Sequence, residues 1–312
     1  MNASKRVLKF SVYSILFMSL LSVHAQKAHP LEGRWDLEME WMGKTVPSWL
    51  EVRNSGHETL IGRFVFAFGS ARPVSEIKST DTGFSFAIPR QWEPKGEDMK
   101  FEGSLENGVL KGIMYYTDGT KVNWSGVRAP KISYNENPTW GEPIQLFNGK
   151  DLTGWHTDAE NQWLVKDGIL TSPKSGANLI SDQKFMGFKL HTEFRYPEGS
   201  NSGIYLRGRY EVQIADHKGL EPSDINFSGV YGFLEPNENA AKAPGEWQTY
   251  DITLIGRRVT VVANGKTVIN DQNIPGITGG ALDSKEGEPG SFMIQGDHGP
   301  VEFKSFVVTP IQ

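Results

Sequence analysis

The chain has 312 residues, a formal net charge of -5 and no cysteine. Net negative charge argues against a nucleic-acid partner and against anionic membrane surfaces, and the lack of cysteine excludes disulfides, thiolate metal sites, Cys nucleophiles and a lipid anchor on an N-terminal Cys. With 34 Gly, 17 Pro, 17 Phe, 9 Tyr and 9 Trp, the composition leans to turns and strands, and the length suggests two domains.

Met1 to Ala25 has the layout of a secretory signal: Lys5, Arg6 and Lys9 at the start, an apolar run from Phe10 to Val23, and Val23-His24-Ala25 at the cleavage position. The run is shorter than the roughly 20 residues that span a bilayer. The expectation is an exported, periplasmic or secreted protein with no membrane insertion after cleavage. From Leu31 to Arg128 short alternating segments follow one another: Gly33 to Trp41, Trp49 to Val52, Leu60 to Phe66 and Gly83 to Phe86. Turn signals separate them, with Asn107-Gly108 and Asp118-Gly119 as hairpin dipeptides. A small antiparallel barrel or sandwich of about seven strands over residues 27–128 is predicted. Pro130, Asn135, Asn137, Pro138 and Pro143 interrupt the pattern, and a linker over 129–143 follows.

Residues 144–312 resume the strand rhythm at Trp163 to Val165, Ile169 to Thr171, Phe188 to Tyr196, Gly203 to Arg207, Tyr210 to Asp216, Trp247 to Ile255, Val259 to Ala263, Ser291 to Gln295 and Val301 to Val308. No helical period appears beyond the first 25 residues, so the fold class is all-β, with a sandwich of two curved sheets here. Strand parity puts Tyr205 and Arg207 on one face and Leu206 on the other, and sets Glu211 and Gln213 against Val212 and Ile214. One face is apolar and the other chemically equipped, although a merely solvated polar face has the same pattern. His191, Glu193 and Arg195 form a comparable line, expected to share the concavity; a charge ladder on an edge strand is the alternative. Gln295-Gly296-Asp297-His298-Gly299-Pro300 is a turn able to aim His298, with Asp297 beside it, at a pocket. The acidic loops Asp224 to Asn226 and Asp283 to Glu288 read as solvated, and neither a metal nor a cofactor is predicted.

Leu146-Phe147-Asn148-Gly149-Lys150-Asp151-Leu152-Thr153-Gly154-Trp155, Asn201 to Arg207, Tyr210 to Asp216 and Gln295 to Gly299 together resemble the signatures of the 3-keto-disaccharide hydrolase family, over about residues 144 to 310. The resemblance implies a concanavalin-like jelly roll, export, a carbohydrate substrate and 3-keto-glycoside lyase and hydratase activity. A ketone at C3 acidifies the C2 hydrogen, so a base, a donor at the carbonyl oxygen and an acid at the leaving oxygen suffice. Arg207 is the expected enolate partner and Glu211 and His298 the base and acid, in either order. Glu193, Tyr205, Gln213, Gln295, Asp297 and Trp247 are expected to bind substrate.

Two other readings remain open on the sequence. A retaining glycoside hydrolase needs two carboxyl groups about 5 to 5.5 Å apart, yet Gln213 is neutral and Asp216 has the wrong parity. A lectin-like module would use aromatics such as Tyr205, Tyr231 and Trp247 and needs no acid or base.

Overall fold

Residues 28–312 are described in a computed structural model, and the signal-like segment Met1 to Ala25 lies outside the described residues. The first sheet takes up the alternating segments as β1 (Gly33–Trp41), β2 (Lys44–Ser55), β3 (Thr59–Val65) and β4 (Arg72–Ser79). It continues through β5 (Phe84–Ile88), β6 (Met99–Glu106), β7 (Val109–Tyr115) and β8 (Lys121–Arg128). Because β1 pairs with both β2 and β8, the sheet closes into an antiparallel barrel without free edges. Trp35, Leu37, Met39, Leu50, Phe64 and Phe101 fill it.

Strict alternation fails in one row of the barrel. Asp36, Trp49 and Val65 are cross-strand neighbours on its outer surface and are nonetheless buried. Trp49 and Val65 belong to the hydrophobic core of the C-terminal half, where the Trp49 ring meets Phe233 edge-on at 5.5 Å. Gly276 lies flat on the Trp49 ring, where any Cβ would collide with it. Charges rim this contact: Arg34 donates to Glu286 at 2.9 Å and to the Pro275 and Pro130 carbonyls. Asp36, desolvated and close to Glu286, is pushed up to about 7.

The C-terminal half begins with the short β9 (Ile144–Gln145), β10 (Trp155–His156), β11 (Leu164–Lys166) and β12 (Ile169–Ser172). Longer strands follow: β13 (Leu179–Phe185), β14 (Phe188–Arg195), β15 (Asn201–Leu206), β16 (Tyr210–Ala215) and β17 (Gln248–Ile255). The last are β18 (Arg258–Ala263), β19 (Lys266–Asn273), β20 (Gly290–Ile294) and β21 (Val301–Pro310). They form a jelly-roll sandwich: one sheet in the order β10-β13-β20-β15-β16, the other β11-β12-β21-β14-β17-β18-β19, with β9 beside β21. Asn107-Gly108, Asp167-Gly168 and Asn264-Gly265 have positive φ at both residues, the tight turns that their Asn-Gly and Asp-Gly pairs favour.

The sandwich buries Phe188, Leu190 and Phe194 of one sheet against Ile204, Leu206, Val212 and Ile214 of the other. In β15 and β16 the opposite face is covered as well, and all six residues of β16 are buried. Residues 226–234 protect the outer edge of β16, with Gln213 N–H donating to the Gly229 carbonyl at 3.0 Å and Tyr231 N–H to the Glu211 carbonyl at 3.0 Å. The segment 129–143 is tied at both ends, through Ala129 N–H to Arg34 carbonyl and Gly141 N–H to Pro310 carbonyl.

Candidate functional site

Parity on β15 and β16 sets Asn201, Tyr205, Glu211 and Gln213 on the covered outer face. A cavity of about 150 Å³ opens there, lined by these four residues with Asn178, Tyr231, Gly279, Gly280, Gln295, Asp297, His298, Phe68 and Gly69. Gly203 lies between Tyr205 and Asn201 on that face, and a Cβ on it would strike the Glu211 carboxyl. Glycine there leaves the room that the acid occupies.

Glu211 is 3% exposed. Burial pushes its carboxyl up to about 8, against the lowering pull of the Tyr205 hydroxyl and of His298. Tyr205 O–H lies 2.9 Å from Glu211 Oε2 and 2.8 Å from the Gly279 carbonyl oxygen. A phenol has one proton to give and a backbone carbonyl can only accept. The triad is therefore fully bonded when Glu211 is protonated and donates to Tyr205 while Tyr205 donates to Gly279. The ionised acid must compete with that carbonyl for the phenolic proton.

His298 reaches the cavity from the turn between β20 and β21. Its Nδ1 is 2.7 Å from Asp297 Oδ1, and this contact raises the imidazole above its ordinary value. Among the lining residues His298 alone can become cationic. Amides supply the rest: the side-chain oxygens of Asn201, Gln213 and Gln295 are buried without a hydrogen-bond partner. Buried acceptors of this kind call for donors such as sugar hydroxyls or water. Among the described residues no cluster of three His, Asp or Glu side chains suits a metal ion.

Of the residues expected to act, Glu211, His298, Tyr205, Gln213, Gln295 and Asp297 meet in this cavity, and Arg207, Glu193 and Trp247 do not. Strand parity misplaces Arg207 because β15 ends at Leu206 and Arg207 turns with φ 55°. Its guanidinium donates instead to the carbonyls of Glu286 and Gly256, each at 2.9 Å, and to Tyr210 Oη at 3.0 Å. Arg207 is a buried strut.

Glu193 is corrected for a different reason: β14 belongs to the other sheet, with its polar side turned outward. There Glu193 accepts from Lys304 at 3.1 Å, His191 Nδ1 lies 2.7 Å from Asp251, and Arg195 pairs with Glu302. Trp247 lies on that same outer surface under Arg195 and Lys304. The two polar lines thus share no concavity. Asp216, the second carboxyl a retaining hydrolase would want, accepts from Gly199 N–H at 3.0 Å and is not among the lining residues.

Residues that the sequence left unremarked also line the site. Asn178 precedes β13, whose mixed run carries no clean period, and Phe68 and Gly69 come from the barrel loop. The adjacent glycines Gly279 and Gly280 were the available signal for a close backbone approach.

Residues 142–309 match the 3-keto-alpha-glucoside-1,2-lyase-like domain. A curated 3-keto-disaccharide hydrolase from Bacteroides thetaiotaomicron is 31% identical over 99 residues, which are 27% of this chain and 34% of that protein. The chain thus matches about a third of that relative's length. A solved structure from Parabacteroides distasonis, described as a glycosyl hydrolase, is 27% identical, covers 58% of this chain and 94% of its own, and has a TM-score of 0.47. A family GH16 endo-beta-1,3(4)-glucanase is 9% identical over 59% of this chain and 95% of its own, with a TM-score of 0.38. With more than half of its residues inside the matched domain, and with Glu211 and His298 both there, the chain belongs to the carbohydrate-active 3-keto-alpha-glucoside-1,2-lyase-like family.

Proposed function

We propose that the chain cleaves 3-keto-glycosides by elimination and hydrates the product, a net hydrolysis. The observation that carries this reading is the buried Glu211, whose proton affinity is raised to about 8 in a cavity shared with the Asp297-His298 pair. A carboxylate of that basicity is a stronger carbon-acid base than a solvated one. Glu211 takes the C2 proton in its ionised form, the minority form below about pH 8, and the electron pair left on C2 is delocalised onto the C3 oxygen. With Arg207 elsewhere and the one free N–H of His298 needed at the leaving oxygen, the stabilising donor has to come from the side-chain amides that line the cavity.

The enolate then re-forms the ketone as the C1=C2 double bond forms and the C1–O bond breaks. The departing oxygen takes a proton from the imidazolium of His298, the form that Asp297 favours. Water adding across C1=C2 returns the proton that Glu211 removed and regenerates both groups. The unpartnered oxygens of Asn201, Gln213 and Gln295 accept hydroxyl protons and orient the ring. The signal-like N-terminus supports the further expectation of export, for which N-terminal sequencing of the mature protein is the check.

Substrate deuterated at C2 tests the mechanism. Proton abstraction slows turnover or moves deuterium into water. Retained label, with equal activity on the unoxidised glycoside, would replace this reading by direct displacement at C1; tight binding without turnover would make the chain a lectin.

A further inference from the structure

The matched domain begins at residue 142, yet part of the cavity wall comes from far upstream. Phe68 and Gly69, in the loop after β3, line it together with Tyr205, Glu211 and Gly280. Two contacts fix where along the cavity that loop stands. Gly280 N–H donates to the Ala67 carbonyl at 2.8 Å, and Tyr205 O–H lies 2.8 Å from the neighbouring Gly279 carbonyl. A Cβ on Gly279 would run into the Gly69 backbone. The barrel therefore closes the Tyr205–Glu211 end, whereas Asn201 lies four residues further along β15, roughly 13 Å away.

Size decides what can meet that loop. A cavity of about 150 Å³ accommodates a single six-membered ring. The exposed lining residues are Phe68, Gly280, Asp297 and His298, so anything joined to that ring leaves through a mouth that Phe68 flanks. Phe68 is 38% exposed, an ordinary value for a stray surface aromatic. Unlike a stray, it is braced from behind: its ring packs edge-on against Phe66 at 4.9 Å, and Phe66 is buried. The Trp92 ring packs against Gly69 and is held by the Arg72 guanidinium 3.9 Å from its ring centre. Rigid aromatics beside a polar cavity offer area to the C–H faces of a ring at little entropic cost.

We propose that Phe68 is a specificity residue that stacks on the leaving group, so that the barrel selects glycosides whose aglycone is itself a ring, a second sugar or an aryl group. This rests on the proposed function for the identity of the substrate, and on the cavity alone for the existence of the subsite. Phe68→Ala and Phe68→Trp in the full chain, assayed on a 3-keto-disaccharide and on a methyl 3-keto-glucoside, test it. A ratio of the two kcat/KM values on one preparation cancels any loss of folded protein.

The ratio is expected to fall about tenfold in Phe68→Ala, the size of one lost aromatic contact, and to recover in Phe68→Trp. An unchanged ratio, even with both rates lowered, overturns the subsite. If the wild type turns over neither substrate, the functional reading is lost, and calorimetric binding of the unoxidised disaccharide and methyl glucoside decides the subsite alone. A disaccharide preference that disappears in Phe68→Ala upholds it, and no preference in the wild type overturns it.

Discussion

Two faces of the sandwich carry nearly the same residue types and have different fates. On the outer side of β14, Glu193 and Arg195 each meet an oppositely charged neighbour at the surface, and His191 Nδ1 lies against Asp251. On the covered side of β15 and β16, Glu211 is buried with no cation in ion-pair contact, and three amide oxygens have no partner at all. The difference teaches that polar residues at strand spacing do not make a site. What separates the two faces is whether the surroundings leave the polar groups incompletely satisfied in a place that a ligand can reach.

The strongest way to break the contrast is Glu211→Gln. Loss of the base is expected to lower kcat by roughly 10²–10⁴-fold while binding of an unreactive sugar survives. The same change should raise stability in alkaline solution. Glu211's folded value, about 8, lies above its ordinary 4.5, so its contribution is fully present below pH 4.5 and is lost as pH rises through 8. The amide has no proton to lose. Thermal melts of the two proteins should diverge between pH 5 and 9, with the variant higher by a few degrees at the top; parallel melts would show that Glu211 is not held protonated.

Arg207→Met tests the correction made at that residue. Removing a buried guanidinium that satisfies two carbonyls and Tyr210 is expected to cost about 1–3 kcal/mol for each buried group left without a partner, seen as a lower denaturation midpoint, with KM of the surviving enzyme little changed. A selective loss of kcat at full stability would return Arg207 to the chemistry. Asp297→Asn is subtler. It removes the partner that raises His298, so the limb of the kcat profile that follows His298 should move to lower pH while the limb set by Glu211 near 8 stays, the two limbs being properties of the coupled pair. His191→Ala and Glu193→Gln, on the exposed face, should alter activity and stability least, within about 0.5 kcal/mol.

The contrast also explains what the sequence could reveal. Alternation in β1, β14 and β16 and the Asn-Gly and Asp-Gly turns were legible because period and turn chemistry are local properties. So was the shared face of Tyr205, Glu211 and Gln213. Parity failed at Arg207, one residue beyond the strand end, where a positive φ redirects the side chain. Nor could it assign β14 to a sheet, since which strands lie side by side depends on pairings far apart in sequence. The barrel's part in the site was hidden for the same reason, although adjacent buried residues at Phe64-Val65-Phe66 mark a strand apolar on both faces, which a free-standing barrel would not need.

That outward row has a consequence for biosynthesis. The barrel is complete once Arg128 has left the ribosome, but Trp49 and Val65 are covered by residues made much later, Phe233 and Gly276 among them. Until then the nascent barrel carries an uncovered apolar strip, the kind of surface that holdase chaperones recognise. Truncated chains ending between the two halves should therefore be recovered bound to chaperone or aggregated.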